Sequence, residues 1–260
     1  MKLKRIIIII SGIAILIFIT VFFAIIFPFL GTKKIPDSTD FAQGKITAVA
    51  DGMSQVYILN GGDGKPGLID AGNSSDGKPI IEALAAKGFK PSDVRSIFLT
   101  HGHPDHIAAA KQFTNAKIYS LKEEVVIAEG TGNNSSPIGY IFKTSPTGLK
   151  VTDILKDGDM ITLGTLKVEV FSIPGHTNGS AAYLIDGVLF MGDTALSASD
   201  GKIRQAIWIF SNDVEQQNRS LKSLASKLLP RKNEIKNIVF SHSGDVDGLQ
   251  PLIDFAETIH

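Results

Sequence analysis

The chain reads as an α/β protein, a sandwich of sheets with outer helices, preceded by one transmembrane helix. Three observations predict this. Short β-type apolar runs alternate with helical patterns and are separated by turn signals. Five of those runs end in Asp or His. An uncharged stretch, Ile6–Leu30, opens the chain, and 21 of its 25 residues are apolar. The 260 residues suffice for one or two domains with a sizeable core.

As one helix the opening stretch would be ~37 Å long, more than the ~30 Å hydrocarbon core requires. A cleavable signal has a shorter apolar run and a small-residue cleavage site. Here the run closes on Phe27-Pro28-Phe29-Leu30, which reads as a signal anchor instead. Lys2, Lys4, Arg5 and the amino terminus outweigh Lys33 and Lys34 across the span. The N-terminus is then expected in the cytoplasm and the domain outside. The expected organisation is a cytoplasmic tip (1–5), a transmembrane signal anchor (6–30), a polar linker (31–43) and a folded domain (44–260). The expected location is the cell membrane, crossed once and touched through residues 6–30, with the domain extracytoplasmic.

Within the domain, Ile46–Val49 and Val56–Leu59 flank Asp51-Gly52, a hairpin signal. Lys78–Lys87 reads as a helix with Pro79 near its start and Gly88 beyond its end. Asn212–Leu229 reads as a second, with Asn212 and Glu215 as a capping box and Leu221, Leu224, Ala225 and Leu228 on one face. Runs near 160–173 and 180–191 predict an antiparallel meander. Residues 129–147, rich in Gly, Asn, Ser and Pro, predict a long loop, either an active-site flap or plain surface.

Composition removes several functions. Without cysteine there is no disulfide framework, thiolate zinc finger, iron–sulfur cluster or cysteine nucleophile. Basic and acidic residues number 26 each; without Lys2, Lys4 and Arg5 the remainder holds 23 against 26. No nucleic-acid partner is expected from that balance; a small-molecule substrate is.

The chemistry sits at the ends of the strand-like runs. Leu68-Ile69 leads to Asp70, Phe98-Leu99-Thr100 to His101, and Ile173-Pro174-Gly175 to His176. Phe190-Met191-Gly192 leads to Asp193, and Val239-Phe240-Ser241 to His242. Carboxyl ends of strands in α/β sheets share one edge, where ligand sites form. The densest piece is His101-Gly102-His103-Pro104-Asp105-His106. In a loop leaving a strand, His101 and His103 can reach one cation while the peptide between them turns away. Asp105 and His106, starting the next helix, point to a neighbouring position. That arrangement suits two metals a few Å apart. His260 receives no role.

These motifs resemble the metallo-β-lactamase-fold hydrolase superfamily over about residues 45–245. They run in order from Asp70 in Leu-Ile-Asp-Ala-Gly through His101–His106, His176 in Pro-Gly-His-Thr-Asn-Gly-Ser and Asp193 in Gly-Asp-Thr to His242 in Ser-His-Ser. The resemblance implies an αββα sandwich with a binuclear site between its halves. By that analogy His101, His103 and His176 hold one metal and Asp105, His106 and His242 the other. Asp193 bridges them, and Asp70 supports the ligands from behind. Many true β-lactamases of this fold carry cysteine or serine where Asp193 stands, so antibiotic hydrolysis is disfavoured. Flavo-diiron relatives carry a glutamate at the place of His103. Acyl-homoserine lactonases commonly carry a tyrosine where Leu196 stands. Glyoxalase II enzymes add a basic helical tail that binds glutathione, whose signature the residues after Asp193 do not show.

The expected function is hydrolysis of an ester, lactone or thioester by a metal-bridging hydroxide, with Asp105 orienting the nucleophile as well as ligating metal. Imidazole and carboxylate ligands suit two divalent ions, zinc first, iron or manganese otherwise. Trp208 and Phe210 are candidates for a hydrophobic substrate wall, with packing of a buried strand or helix as the competing reading. Two other functions stay open: a mononuclear-iron, persulfide-dioxygenase-like oxidoreductase and a metal-binding module without catalysis.

Overall fold

The computed structural model describes the chain from Lys2 to Ile259; Met1 of the expected tip and His260 lie outside the described residues. The uncharged opening stretch does not form one long helix. The α-helix α1 (Lys2–Val21) has 20 residues, four of them the Lys2–Arg5 tip. The 16 that remain, Ile6–Val21, reach only ~24 Å at 1.5 Å per residue, short of the ~30 Å hydrocarbon core. The chain then passes into a π-helical turn, Phe22–Ile26, and a 3-10 turn, Phe27–Phe29. Pro28, lacking an N–H, cannot continue an α-helical ladder. Among the described residues no helix is long and apolar enough to cross a membrane. This corrects the expected transmembrane signal anchor over 6–30, the membrane contact through it and the single-pass placement at the cell membrane. Hydropathy counts apolar residues but not the continuity of the helix that carries them.

The expected polar linker carries hydrogen bonds to the rest of the chain. Thr32 forms a β-bridge with Ala198, and Lys33 N–H donates to the Ser197 carbonyl at 2.9 Å. Gly244 N–H donates to the Lys33 carbonyl at 2.9 Å, and the Arg204 guanidinium donates to the Leu30 carbonyl at 2.7 Å.

The first sheet follows chain order: β1 (Ser38–Phe41), β2 (Ile46–Asp51), β3 (Ser54–Leu59), β4 (Gly67–Ile69), β5 (Ser96–Phe98), β6 (Lys117–Leu121) and β7 (Asp153–Leu155). The predicted hairpin is β2–β3, closed in register at Asp51 opposite Ser54, with Gly52 at φ +68° as the turn requires. From β4 onward the strands are parallel, which aligns their carboxyl ends. Helix α2 (Lys78–Ala86) buries Ile80 and Leu84 on the outer face of this sheet. The short helices α3 (Pro104–Ile107), α4 (Val125–Ala128) and α5 (Pro137–Ile141) lie in its connections.

The second sheet begins with the predicted meander, β8 (Met160–Leu163), β9 (Leu166–Ser172), β10 (Ala181–Ile185) and β11 (Val188–Phe190). A small hairpin follows, β12 (Ala195–Ser197) with β13 (Ile203–Gln205). Then β14 (Asn237–Val239) adds parallel to β11, and β15 (Val246–Asp247) closes the edge. Helices α6 (Val214–Leu228) and α7 (Gln250–Thr258) cover its outer face. The cap of α6 is Asp213, whose carboxylate accepts from Gln216 N–H at 2.8 Å, one residue beyond the expected Asn212.

Three apolar layers make the fold a helix–sheet–sheet–helix sandwich. The middle layer joins the two sheets through pairs such as Tyr57 with Phe190, ring centroids 4.9 Å apart. The outer two bind α2 to the first sheet and α6 and α7 to the second. The site lies where β4, β5, β9, β11 and β14 deliver their ends to one edge.

Candidate metal centre

Each motif residue follows a strand whose burial fixes where the next loop starts. Asp70 follows β4 with φ +60°, a left-handed conformation uncommon outside glycine, and is 1% exposed. Its Oδ1 accepts from Thr100 N–H at 2.7 Å; its Oδ2 accepts from Thr100 Oγ1 at 2.7 Å and faces His106 Nδ1 at 2.9 Å. A carboxylate can only accept there, so His106 carries its proton on Nδ1 and presents a bare Nε2.

Three of the other four histidines repeat that logic. His101 Nδ1 lies 3.1 Å from Thr100 Oγ1, and His176 Nδ1 lies 3.2 Å from Ser211 Oγ. His242 Nδ1 donates to the Met53 carbonyl at 2.7 Å. His103 is reversed: Asn134 Nδ2 donates to its Nε2 at 2.6 Å, so its Nδ1 turns inward and carries the proton that a cation there would displace. Every imidazole therefore has its outer nitrogen tied and its inner nitrogen aimed at the others.

Those inner atoms form two groups able to hold an ion: His101, His103, His176 and Asp193, and beside them Asp105, His106 and His242. His103 Nδ1 is 3.0 Å from His101 Nε2 and 3.1 Å from His176 Nε2. Nitrogens at 2.0–2.1 Å from a shared tetrahedral cation would sit about 3.3 Å apart. Asp193 stands between the groups. Its Oδ2 is 3.8 Å from His101 Nε2, 3.7 Å from His176 Nε2 and 2.9 Å from His242 Nε2, while Oδ1 is 3.3 Å from His106 Nε2. Asp105 Oδ2 lies 3.2 Å from His242 Nε2 and 3.6 Å from His106 Nε2. His106 Nε2 and Asp193 Oδ1 are buried without a hydrogen-bond partner. Buried polar atoms are otherwise paired almost without exception, so an orphaned donor set converging on one point fits a bound cation.

Electrostatics separates the groups. Burial, reinforced by mutual repulsion, lowers His101 well below the usual imidazole range, His103 to about 4 and His176 to about 3. Burial also opposes charge on His106 and His242. There the carboxylates win, Asp193 first, raising His106 and lifting His242 to about 10. Asp193 and Asp105 are held below the ordinary carboxylate range, burial being outweighed by the imidazoles around them.

Backbone approach makes glycine necessary at two points. A Cβ on Gly102, between His101 and His103, would lie 2.5 Å from Ala128 N. Gly175, before His176, has φ +141° and would place a Cβ 2.3 Å from the Gln217 backbone.

Several participants carry no motif. Glu124 is fully buried; it accepts from Gly102 N–H at 2.6 Å, Thr177 Oγ1 at 2.6 Å and Gly179 N–H at 3.1 Å. It thereby joins the His101–His103 loop to the one after His176. Burial pushes its carboxyl up to about 7 against those hydrogen bonds. Asn134 brings the 129–147 loop against the site, and that segment also lines a cavity of about 530 Å³ beside His103 and Asp105. A second cavity, about 230 Å³, opens over Asp193 and His242. Of the two candidate wall residues, Phe210 lines both cavities, whereas Trp208 lines neither and is 52% exposed.

Comparison with known proteins places these features. Residues 49–242 match the metallo-beta-lactamase superfamily profile. The chain is similar to a hydroxyacylglutathione hydrolase of Aliivibrio fischeri, 29% identical over 184 residues, covering 69% of this chain and 59% of that protein. A hydroxyacylglutathione hydrolase of Citrobacter koseri is 26% identical over 175 residues, covering 66% and 56%. The chain thus spans less than two thirds of the length of both. Among solved structures, BJP-1, a subclass B3 metallo-beta-lactamase of Bradyrhizobium japonicum, superposes with a TM-score of 0.62. It is 18% identical and covers 88% of this chain and 92% of its own, a likeness of fold.

Proposed function

Since the chain belongs to the metallo-beta-lactamase superfamily, we propose that it is a binuclear metal-dependent hydrolase of a carboxylic ester, lactone or thioester. The hydrolase domain is residues 44–260. His101, His103 and His176 would hold one ion and Asp105, His106 and His242 the other, with Asp193 within reach of both. The observation that carries this reading is the convergence of five inward-turned imidazole nitrogens with the orphaned Asp193 Oδ1. Zinc suits this donor set, as do iron and manganese.

Ions held there supply Lewis acidity and bring the pKa of bound water towards neutrality. The chain's own residues supply the rest. Asp105, its carboxylate ionised and its backbone carbonyl held by Ser54 Oγ at 3.0 Å, accepts a hydrogen bond from the attacking water and orients it. Asp70 and Thr100 fix the His106 and His101 rings in the tautomers that ligation needs. Phe210 and the apolar wall beside it exclude bulk water from the face where the carbonyl enters.

Metal analysis together with an ester, lactone and thioester panel tests the reading. Two ions per chain are expected, with hydrolysis that a chelator abolishes and added metal restores. One iron per chain, with oxygen consumed in the presence of a thiol persulfide, would overturn it in favour of an oxidoreductase. Bound metal without turnover on any substrate would leave a binding module.

A further inference from the structure

The 3-10 turn Phe27–Phe29 does not lie apart from the site. Phe29 lines the 230 Å³ cavity, its ring edge-on to His242 with centroids 6.3 Å apart at 82°. The bonds already described hold it there: the Thr32–Ala198 bridge, Arg204 on the Leu30 carbonyl, and Lys33 bonded to the backbones of Ser197 and Gly244. Ser197 N–H in turn donates to Ser243 Oγ at 2.8 Å, next to His242. The turn, the β12–β13 hairpin and the His242 loop therefore form one hydrogen-bonded unit.

Apart from the five His and Asp side chains of the candidate metal centre, the walls of this cavity are apolar. They are Phe29, Met53, Leu196, Ala206, Ile207 and Phe210, and among the described residues no Lys or Arg lines the cavity. The adjoining 530 Å³ cavity is more mixed: Asn134, Lys143 and Thr144 share its lining with Ile107, Ile127, Ile138 and Phe142. The two cavities meet at His103, Asp105 and Phe210, beside the candidate metal centre. A substrate with its carbonyl at Asp105 would thus extend one portion into a cavity without a cationic side chain and the other towards Lys143. The apolar cavity holds roughly eight water volumes at ~30 Å³ each, the size of a medium-chain acyl group.

We propose that Phe29 is a specificity-determining residue, closing an apolar acyl pocket so that the enzyme prefers esters and thioesters of medium-chain, uncharged carboxylic acids. The proposal rests on the hydrolase reading above. Apolar burial supplies the preference, because each methylene withdrawn from water into such a pocket favours the longer acyl group.

The test uses the full chain, loaded with metal, and acetyl, butyryl and hexanoyl esters of one chromogenic alcohol. The wild type should prefer hexanoyl over acetyl in kcat/KM by about tenfold or more. Phe29→Trp, which fills the pocket, should reverse that preference, and Phe29→Ala should reduce it, with metal content per chain unchanged in both. An unchanged hexanoyl-to-acetyl ratio in Phe29→Trp, or equal wild-type rates on the two esters, would overturn the proposal while leaving the hydrolase reading intact. Failure to hydrolyse any ester, lactone or thioester would instead strike the hydrolase reading itself.

Discussion

The two groups of side chains that could hold ions lie on either side of Asp193 and differ in charge. His101, His103 and His176 are buried, and their pKa values are driven down, so each offers a neutral nitrogen at physiological pH. In the second group Asp105 and His242 have side chains 23% and 10% exposed while His106 is fully buried, and the carboxylates there raise His242 and His106. A cation entering the first group meets uncharged imidazoles and displaces only the proton on His103 Nδ1. One entering the second must displace protons, against carboxylates that favour them. The first group is therefore expected to hold its ion more tightly than the second.

Asp193→Ala is the most severe way to break this contrast, because both groups lose their common oxygen. Turnover should fall on the order of 10³-fold or more, and metal content should drop from two ions per chain to one or fewer. An active variant retaining both ions would remove Asp193 from its shared role. Asp70→Asn should act more gently. Asp70 bonds His106 directly but reaches His101 only through Thr100, so the second group should lose affinity about 10–100-fold and the first less. Graded chelator challenge with metal analysis reads that difference. Equal loss from both groups would refute the asymmetry.

How the sequence relates to this site follows from what each residue needs. Asp70, His101, His176, Asp193 and His242 each follow an apolar run, and those runs became β4, β5, β9, β11 and β14. The sheet alone then brings their loops to one edge. Glu124, Asn134 and Ser211 belong to polar stretches with no periodicity, and only tertiary contact sets them against Gly102, His103 and His176. The Met53 carbonyl on His242 is backbone chemistry, invisible to residue type. Phe29 was obscured by its neighbours, for an apolar run reads as a lipid-facing helix whether or not it stays helical. The capping shift from Asn212 to Asp213 has a simpler cause: both residue types cap well, and only the backbone turn chooses between them.

A smaller effect needs no substitution and separates the groups by sign. In metal-free protein His103 and His176 have folded pKa values of about 4 and 3, below the ~6.5 of an unfolded histidine. Their contribution to stability is complete above pH 6.5 and is lost as the pH falls, because the unfolded chain takes up protons that the folded site refuses. At pH 5 that loss is on the order of 2 kcal/mol for each histidine. Glu124, raised to about 7, opposes it with a single carboxyl, since its folded form gains a proton over the same range. The three lowered imidazoles outweigh it, and the melting temperature should fall by several degrees between pH 7 and pH 5. His242 has the opposite sign. Raised to about 10, it contributes stability that is complete below pH 6.5 and lost as the pH rises towards 10. Calorimetry of the stripped protein across pH 5–10 should therefore show a maximum near neutrality, its acid limb set by the first group and its alkaline limb by the second. His242→Gln should flatten the alkaline limb and spare the acid one. A stability that rises on acidification, or an alkaline limb indifferent to His242, would mean that the two groups do not differ in charge as their surroundings require.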